Sequence, residues 1–163
     1  MRNALIMALV LSSLVMFRWG ESAGSGENLP PPDADKFWAY ITQNNPYQRW
    51  TLWPGYPGIS PGKSPHGAYL KLYANPAALK AAREGSPMPY GGLIIKENYA
   101  EDQKTLMAVT PMYKVRDYYP EGGDWFWGKY GPDGQVLVAG KPQGCISCHE
   151  AVKDKDWLFT APR

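Results

Sequence analysis

The chain has 163 residues and a formal net charge of +2, and 44% of its residues are hydrophobic and 13% aromatic, a size and composition that suit one globular domain. Its 17 glycines and 16 prolines make about a fifth of the sequence, below the level of low-complexity chains, so fibrous and disordered classes are excluded. Lys and Arg are scattered among acidic residues, so no nucleic-acid partner is predicted. Two cysteines cannot form the dense disulfide framework of a small secreted scaffold.

Residues 1–23 have the pattern of an export signal. Arg2 precedes an uncharged apolar run over residues 4–17, which is shorter than the roughly 20 residues of a membrane-spanning helix. A short basic region before such a run is typical of a signal peptide. We therefore predict an exported, periplasmic protein. The alternative is that the N-terminus is not cleaved and anchors the protein in the membrane.

The next segment predicts a linker and then the start of the domain. Residues 24–33 (GSGENLPPPD) are small and polar and include three consecutive prolines, which favours an extended linker. A single domain is then expected over residues 34–163. Asp33 or Asp35 can cap a first helix that continues to about Gln43. Residues 44–65 predict an ordered loop, because a segment with so many large aromatic rings is not left in water.

The central part of the chain predicts mainly antiparallel strands. Strands are expected over residues 68–73, 92–99, 105–115, 124–130 and 135–139, with a helix over residues 76–84. Pro111 should place the third strand at a sheet edge or in a bulge, because proline cannot donate a ladder hydrogen bond. Residues 131–134 (GPDG) should close a hairpin. The predicted fold class is α+β, with flanking helices on a mainly antiparallel sheet of roughly four or five strands.

Both cysteines lie in one motif near the C-terminus, Cys145-Ile-Ser-Cys148-His149. This C-x-x-C-H spacing is typical of haem c attachment, because it lets both sulfurs bond the vinyl groups of one haem and brings His149 beneath the iron as the proximal ligand. A thioredoxin-like pair, a zinc site that includes His66 and a plain disulfide are alternatives that explain less of the motif. We therefore predict one covalently bound haem c, held by a C-terminal haem-binding helix or turn.

The residue on the other side of the iron would separate an electron carrier from a ligand-binding protein, because Met or His in that position blocks substrate. The candidates are Met88, Met107, Met112 and His66. Met107 and Met112 lie in a strand pattern, which favours positions in the core. Met88 lies in a loop between two prolines. The sequence leaves the sixth ligand open.

From about residue 65 to residue 160 the chain resembles the cytochrome P-460 family, which includes the cytochromes c′-beta. The matching stretches are PHGAYLKLYANP, GGLIIKENY, GDWFWGKY and GCISCHEAVKDKDWLFT. The resemblance implies a β-rich fold, a homodimer, a redox partner cytochrome and a five-coordinate haem with an open distal face. It also implies that this face binds small nitrogen species, namely hydroxylamine or nitric oxide.

The resemblance assigns roles to two further residues. In the hydroxylamine-oxidising members a lysine is bonded to the haem ring, and Lys96 occupies the matching position. The alternative is an ordinary lysine whose ammonium reaches water from a sheet edge. His66 matches an aromatic residue over the distal face, where an imidazole could donate a hydrogen bond to a bound ligand or bind the iron. The alternative is a turn histidine that bonds only to backbone.

One departure from the family pattern concerns proton transfer. The carboxylate that relays protons in the hydroxylamine oxidisers corresponds to the region of Val109 and Thr110, which contains no acid. Glu97, Asp117 and Glu121 are the available substitutes. Three functions follow: oxidation of hydroxylamine to nitric or nitrous oxide with release of electrons, nitric oxide binding without turnover, and electron transfer by a cytochrome c with Met or His as sixth ligand.

Overall fold

The structure, a computed structural model, describes residues 28–159, so the predicted signal peptide lies outside the described residues. The elements in chain order are α1 (Ala34–Ala39), β1 (Thr51–Leu52), β2 (Ser60–Pro61), β3 (Tyr69–Ala74), α2 (Pro76–Glu84), β4 (Leu93–Tyr99), β5 (Leu106–Lys114), β6 (Trp125–Tyr130), β7 (Val136–Gly140) and α3 (Gln143–His149). Short π- or 3₁₀-helical turns cover Tyr40–Asn44, Tyr47–Arg49, Pro120–Gly122 and Glu150–Lys155. Within residues 28–159 no helix is both long and apolar enough to cross a membrane.

The strands of the described chain form one seven-stranded antiparallel sheet in the order β1-β3-β4-β5-β6-β7, with β2 also paired to β3. The longer strands follow one another along the chain as neighbours in the sheet, as expected where turns and short connections join antiparallel strands. The predicted α+β class is confirmed. β1 and β2 are additional strands from the segment that was predicted to be a loop.

The capping residues explain where two helices begin and end. Asp33 Oδ1 accepts a backbone hydrogen bond of 3.0 Å at the start of α1, and the π-helical turn Tyr40–Asn44 continues the helix to its predicted end near Gln43. Asn75 Oδ1 caps α2, and Pro76 occupies its first turn, where a missing N–H costs nothing. α2 ends at Gly85, whose φ of 64° suits glycine.

Pro111 lies in a central strand, so the prediction of an edge strand or a bulge at this residue is wrong. β5 is flanked by β4 and β6, and its register against both strands is unbroken at Pro111. On the β6 side, however, pairing lapses between Val109 and Met112. Gly128 of β6 lies beside the proline, and a Cβ added to it would come within 3.0 Å of Pro111 Cγ. The sheet therefore accommodates the proline ring by a gap in pairing next to a glycine.

The sheet separates two packed sides, here called the α1 side and the α3 side. Buried residues on the α1 side are Phe37, Ile41, Tyr47, Tyr73, Leu93, Ile95, Val109, Tyr113, Phe126 and Tyr130. On the α3 side they include Leu70, Leu72, Ile94, Met112, Trp125, Trp127 and Ile146, with the alanines of α2. Successive side chains of a strand point to opposite faces, so Lys96 and Asn98 of β4 lie on the α3 side and Glu97 lies on the α1 side.

Candidate functional site

A cavity of about 490 Å³ opens on the α3 side of the sheet, within the range of roughly 300–1,000 Å³ that is usual for cofactor sites. It is bounded by α3, by β4, β5 and β6, and by the loop that precedes β3. All five residues that the sequence predicts as site residues line it: His66, Lys96, Cys145, Cys148 and His149. Residues that are up to 83 positions apart in the chain therefore meet in one place.

α3 brings the C-x-x-C-H motif to the wall of the cavity. Cys145 and Cys148 are three residues apart in a helix, which places them on one face. Both are free thiols, Cys145 half-buried and Cys148 exposed, and no disulfide joins them. Burial raises the pKa of the Cys145 thiol. The helix thus offers both sulfurs to a group inside the cavity.

His149 is 7% exposed and is held in one tautomer. Its Nδ1 lies 2.7 Å from the carbonyl oxygen of Trp157. Because a carbonyl only accepts, Nδ1 carries the proton and Nε2 keeps its lone pair. The rings of Trp127 and Phe159 pack against the imidazole, with centroids at 4.6 and 5.1 Å. Burial lowers the pKa of His149, so the neutral, metal-binding form of the imidazole is favoured.

The segment that supplies this carbonyl is itself anchored. Asp156 accepts a hydrogen bond of 2.9 Å from the backbone N–H of Met88 and forms a salt bridge with Lys114. Its own carbonyl accepts a bond of 3.0 Å from Trp125 Nε1. Asp156 and Trp157 both have positive φ, 54° and 65°, which reverses the chain back toward α3. The position of His149 therefore depends on Asp156.

Lys96 extends from β4 into the cavity and is half-buried rather than exposed at a sheet edge. Within residues 28–159 no hydrogen-bond acceptor or ion-pair partner contacts its Nζ. Burial lowers the pKa of Lys96 to about 8, since desolvation penalises the ammonium. An appreciable share of the side chain is then a neutral amine near neutral pH.

Asn98, two residues after Lys96 on the same face, fixes the orientation of His66. Its Nδ2 donates to the carbonyl of Ala108 at 3.1 Å and to Thr110 Oγ1 at 3.0 Å. Its Oδ1 therefore faces the loop before β3, where it accepts from the N–H of Gly67 at 3.3 Å and lies 3.1 Å from His66 Nδ1. Because Oδ1 only accepts, His66 carries its proton on Nδ1 and leaves Nε2 unprotonated.

His66 and His149 border the same cavity, with ring centroids 6.4 Å apart and ring planes perpendicular. Burial, reinforced by the charge of Lys96, lowers the pKa of His66 to about 4. The backbone N–H of His66 bonds to the carbonyl of Lys63 at 3.0 Å, as expected of a turn residue, but its side chain reaches Asn98. Two neutral imidazoles with free Nε2 lone pairs thus line the cavity.

The three methionines that the sequence offers as ligands have different positions. Met112 is buried and lines the cavity, which confirms its predicted core position. Met107 also lines the cavity but is 55% exposed, so its predicted core position is wrong in the described part of the chain. Met88 is buried beside a separate cavity of about 330 Å³ and is not among the residues that line the first.

None of the acidic residues suggested as substitutes for the family's carboxylate lines the cavity. Asp117 and Glu121 are exposed outside it, and Glu97 points to the α1 side. The position directly opposite Lys96 in the β4–β5 ladder is Thr110. No Asp or Glu is among the described residues that line the cavity.

Glu97 instead forms a buried cluster with three tyrosines. Its carboxylate, 5% exposed, accepts hydrogen bonds from the hydroxyls of Tyr47 at 3.0 Å, Tyr73 at 3.2 Å and Tyr99 at 2.8 Å. Burial and the charge of Glu97 raise the pKa values of Tyr47, Tyr73 and Tyr99, so all three remain protonated donors. Of the three substitutes considered for the family's carboxylate, Glu97 lies on the wrong side of the sheet for the cavity, because adjacent strand residues point to opposite faces.

Several residues that shape the site have little or no signal in the sequence. Asn98 was detectable, because it shares a strand face with Lys96 by the period of two. Thr110 appeared only as a position that lacks an acid, although it bonds Asn98. The carbonyl of Trp157 carries no sequence signal, since a backbone oxygen belongs to every residue.

The residues that line the cavity fit a haem. Two thiols and an imidazole with a free lone pair stand at the spacing of haem attachment, and most of the remaining wall is apolar. The Nε1–H of Trp127, a residue of the wall, is buried with no hydrogen-bond partner in the described part of the chain. Trp53 Nε1 is also buried without a partner in the described chain, although Trp53 does not line this cavity, so the fit to a haem rests on the thiols and the imidazole.

Comparison with known proteins agrees with this fit. The family model described as Cytochrome P460 matches residues 46–160. The match covers well over half of the chain, from the turn before β1 through α3, and includes every residue that lines the cavity. No curated protein matches the sequence. The chain therefore belongs to the cytochrome P460 family and is a haem protein.

Proposed function

We propose that this protein is an exported c-type cytochrome that oxidises hydroxylamine in the cavity described above. Cys145 and Cys148 would hold one haem by thioether bonds, and His149 Nε2 would be its proximal ligand. The observation that carries the proposal is that the C-x-x-C-H motif and the amine of Lys96 share one cavity. When bound, haem iron supplies a redox-active Lewis acid that binds the substrate nitrogen and accepts its electrons.

Lys96 is the residue that would distinguish a hydroxylamine oxidase from a simple haem protein. Its pKa of about 8 leaves part of the amine neutral, and only the neutral amine is nucleophilic. Nζ would bond to a carbon of the haem ring, with loss of one N–H hydrogen and one ring hydrogen. This is a two-electron oxidation, for which hydrogen peroxide, reduced to water, is a sufficient oxidant.

The other polar residues of the cavity would position the groups that bind there. Trp157 holds the Nδ1–H of His149 and so keeps Nε2 available to the metal. Asn98 holds the Nδ1–H of His66, which leaves the Nε2 lone pair directed to a group bound in the cavity. The apolar wall limits the access of bulk water, which strengthens these interactions.

A second function, nitric oxide binding without turnover, is favoured by one specific observation. The described cavity wall contains no carboxylate, and Thr110 stands opposite Lys96. Oxidation of hydroxylamine needs a path for several protons, whereas binding of nitric oxide needs none. Thr110→Glu would add a carboxylate that can accept protons in the cavity. A rise in hydroxylamine turnover in this variant would show that the lack of a carboxylate limits catalysis in the wild-type protein.

We also propose a homodimer that delivers electrons to a partner cytochrome. Support comes from an apolar rim at the cavity mouth, formed by Met107, Leu137, Val138 and Phe159, each 41–56% exposed. β7 is an edge strand of the described sheet, and exposed apolar edge strands are uncommon in monomers. Leu137→Glu should convert a dimer to a monomer in sedimentation velocity. A wild-type protein that sediments as a monomer would contradict this part of the proposal.

The function is tested by steady-state oxidation of hydroxylamine with an artificial electron acceptor. Wild-type protein should reduce the acceptor, and Lys96→Ala should lose this activity while it keeps its haem and its binding of nitric oxide. Lys129→Ala is the matched control, because Lys129 also lines the cavity but is exposed. If the wild-type protein binds nitric oxide and shows no turnover, the binding function replaces the catalytic one.

A further inference from the structure

We infer that His66 is the sixth ligand of the haem iron in the resting protein, opposite His149, and that small ligands bind by displacing it. The inference rests on the haem site proposed above and adds a feature to it. The haem iron would be six-coordinate at rest, whereas the family resemblance implies a five-coordinate haem with an open distal face. Three observations support this assignment.

The first observation is the spacing of the two imidazoles. A bond from a metal to an imidazole nitrogen is about 2.0–2.1 Å long, and the centre of the ring lies about 1.1 Å beyond that nitrogen. Two imidazoles bound on opposite sides of one metal therefore have ring centres roughly 6.3 Å apart. The centroids of His66 and His149 are 6.4 Å apart. Rings that pack directly on His149 are closer, with Trp127 at 4.6 Å and Phe159 at 5.1 Å. The spacing of the histidines therefore matches the one that a metal ion bound between them requires.

The second observation is that both histidines are fixed in the tautomer that binds metals through Nε2. His149 gives its Nδ1–H to the carbonyl of Trp157, and His66 gives its Nδ1–H to Asn98 Oδ1. Such a bond on the far nitrogen is the usual way in which a protein orients a histidine ligand. The same bond excludes the other role considered for His66, since a neutral imidazole that donates from Nδ1 cannot also donate from Nε2 to a bound ligand.

The third observation is that the loop of His66 is closely packed against β4. A Cβ added to Gly67 would lie 2.5 Å from the carbonyl oxygen of Tyr99 and 2.6 Å from its nitrogen. The backbone on the C-terminal side of His66 is therefore in contact with the strand that carries Lys96 and Asn98. Asn98 is 4% exposed and bonds Ala108 as well as Gly67. The imidazole is thus placed by a buried network rather than by a mobile loop.

The ring planes give this inference a spectroscopic signature. The planes of His66 and His149 are perpendicular. In ferric low-spin haem, perpendicular axial imidazoles leave two iron d orbitals nearly degenerate, which gives a single strongly anisotropic low-field EPR feature. Parallel imidazoles remove this degeneracy and give a rhombic spectrum with three resolved features. The resting ferric protein should therefore show the first type of spectrum.

The test is EPR and optical spectroscopy of the ferric, haem-loaded full-length protein. Wild type should be low-spin with the strongly anisotropic feature. His66→Ala and His66→Phe should be high-spin and five-coordinate, and imidazole added to His66→Ala should restore a low-spin spectrum. Lys63→Ala is the control from the same loop, because Lys63 is exposed and does not line the cavity, and it should match wild type.

Ligand kinetics provide a second readout that does not depend on turnover. With cyanide as the probe, the observed binding rate of the ferric wild type should reach a plateau at high concentration, where dissociation of His66 becomes limiting. The rate in His66→Ala should increase linearly with cyanide over the same range. A linear dependence in wild type with the same slope as in His66→Ala would overturn the inference.

The remaining outcomes separate this inference from the proposed function. A wild-type protein that contains haem but is high-spin at rest overturns the role of His66 and leaves the proposed function standing. A low-spin spectrum that persists in His66→Ala also overturns it and assigns the sixth position to another residue, with Met112 the buried methionine of the cavity wall. A protein that takes up no haem overturns the proposed function together with this inference.

Discussion

Lys96 and Glu97 are neighbours on β4, yet their charged groups have different hydrogen-bonding surroundings on the two sides of the sheet. On the α1 side, the carboxylate of Glu97 accepts three tyrosine hydroxyls within 3.2 Å. On the α3 side, Nζ of Lys96 contacts no hydrogen-bond or ion-pair partner among residues 28–159. A buried charge with all its partners stabilises a fold, whereas one without partners is costly and is typical of a functional site.

The same contrast extends to the neutral polar groups of the α3 side. Trp127 Nε1 is buried without a partner in the described chain, and the tautomers of His66 and His149 leave both Nε2 atoms as free lone pairs. On the α1 side, Tyr113 and Tyr130 both donate to backbone carbonyls. Among residues 28–159, the buried polar side chains of the α1 side therefore find partners within the polypeptide, whereas the cavity on the α3 side leaves polar atoms available to a cofactor.

The largest effect on stability is expected from Glu97→Leu. The substitution leaves three tyrosine hydroxyls without their acceptor, and the side chains of Tyr47 and Tyr73 are buried. At about 1–3 kcal/mol for each buried unsatisfied group, we expect the free energy of unfolding to fall by about 3 kcal/mol or more. Urea denaturation followed by tryptophan fluorescence measures this change. Glu97→Gln is the matched control, because its amide keeps one acceptor oxygen, and it should lose roughly half as much. A loss below about 1 kcal/mol in Glu97→Leu would contradict a structural role for the α1-side cluster.

An intermediate effect is expected from Asp156→Ala, which acts on the α3 side through His149. The variant loses a half-buried ion pair with Lys114 and the bond to the N–H of Met88, so we expect a loss of about 1–3 kcal/mol. Loss of this anchor should also let the Trp157 carbonyl move, so that His149 is held less firmly in its orientation. A change in the optical absorption spectrum of the haem would report this. Asp154→Ala, an exposed position in the same segment, should change neither quantity. An unaltered spectrum in Asp156→Ala would show that His149 is positioned independently of this anchor.

The smallest effect on stability is expected from Lys96→Met, compared with Lys96 in haem-free protein that carries Cys145→Ala and Cys148→Ala, where Nζ is a free amine. Since Nζ has no partner to lose, the free energy of unfolding should stay within about 1 kcal/mol of the protein with Lys96 or rise. The pKa of Lys96 is about 8 in the folded chain, below its usual value of 10.5, so the unfolded state binds more protons between these two values. The stability of the haem-free protein with Lys96 should therefore rise with pH across that window, and this rise should be absent in Lys96→Met. A large destabilisation at neutral pH would mean that the ammonium is a structural group like Glu97.

What the sequence predicts well is local. The C-x-x-C-H spacing, the capping residues of α2 and the strand that carries Lys96 each depend on residues within a few positions, and the structure places Lys96 and the motif in one cavity. His66 was found through a resemblance in the same ungapped stretch. These features are predictable because a motif or a strand period specifies them from neighbouring residues, without any long-range contact.

What the sequence does not predict depends on contacts between distant segments. Pro111 tolerates a central strand because of Gly128 on the neighbouring strand. The partners of Glu97 include Tyr47 and Tyr73, which are 50 and 24 residues away. No periodicity in the chain indicates that these tyrosines meet Glu97, so the α1-side cluster is not predicted, although the side of the sheet on which Glu97 lies is predictable. The period of two alone would have placed Glu97 correctly.

The central claim is that the α3 side is completed by a haem bonded to this chain, and mass spectrometry of the purified full-length protein tests it most directly. The intact mass should equal the mature polypeptide plus one haem, and the increment should disappear in a variant with Cys145→Ala and Cys148→Ala. Peptide mapping should then recover a haem peptide that contains Cys145, Cys148 and His149 together with an attached fragment that contains Lys96. A haem peptide without the Lys96 fragment would favour nitric oxide binding over hydroxylamine oxidation. A native protein at apoprotein mass would contradict the account as a whole.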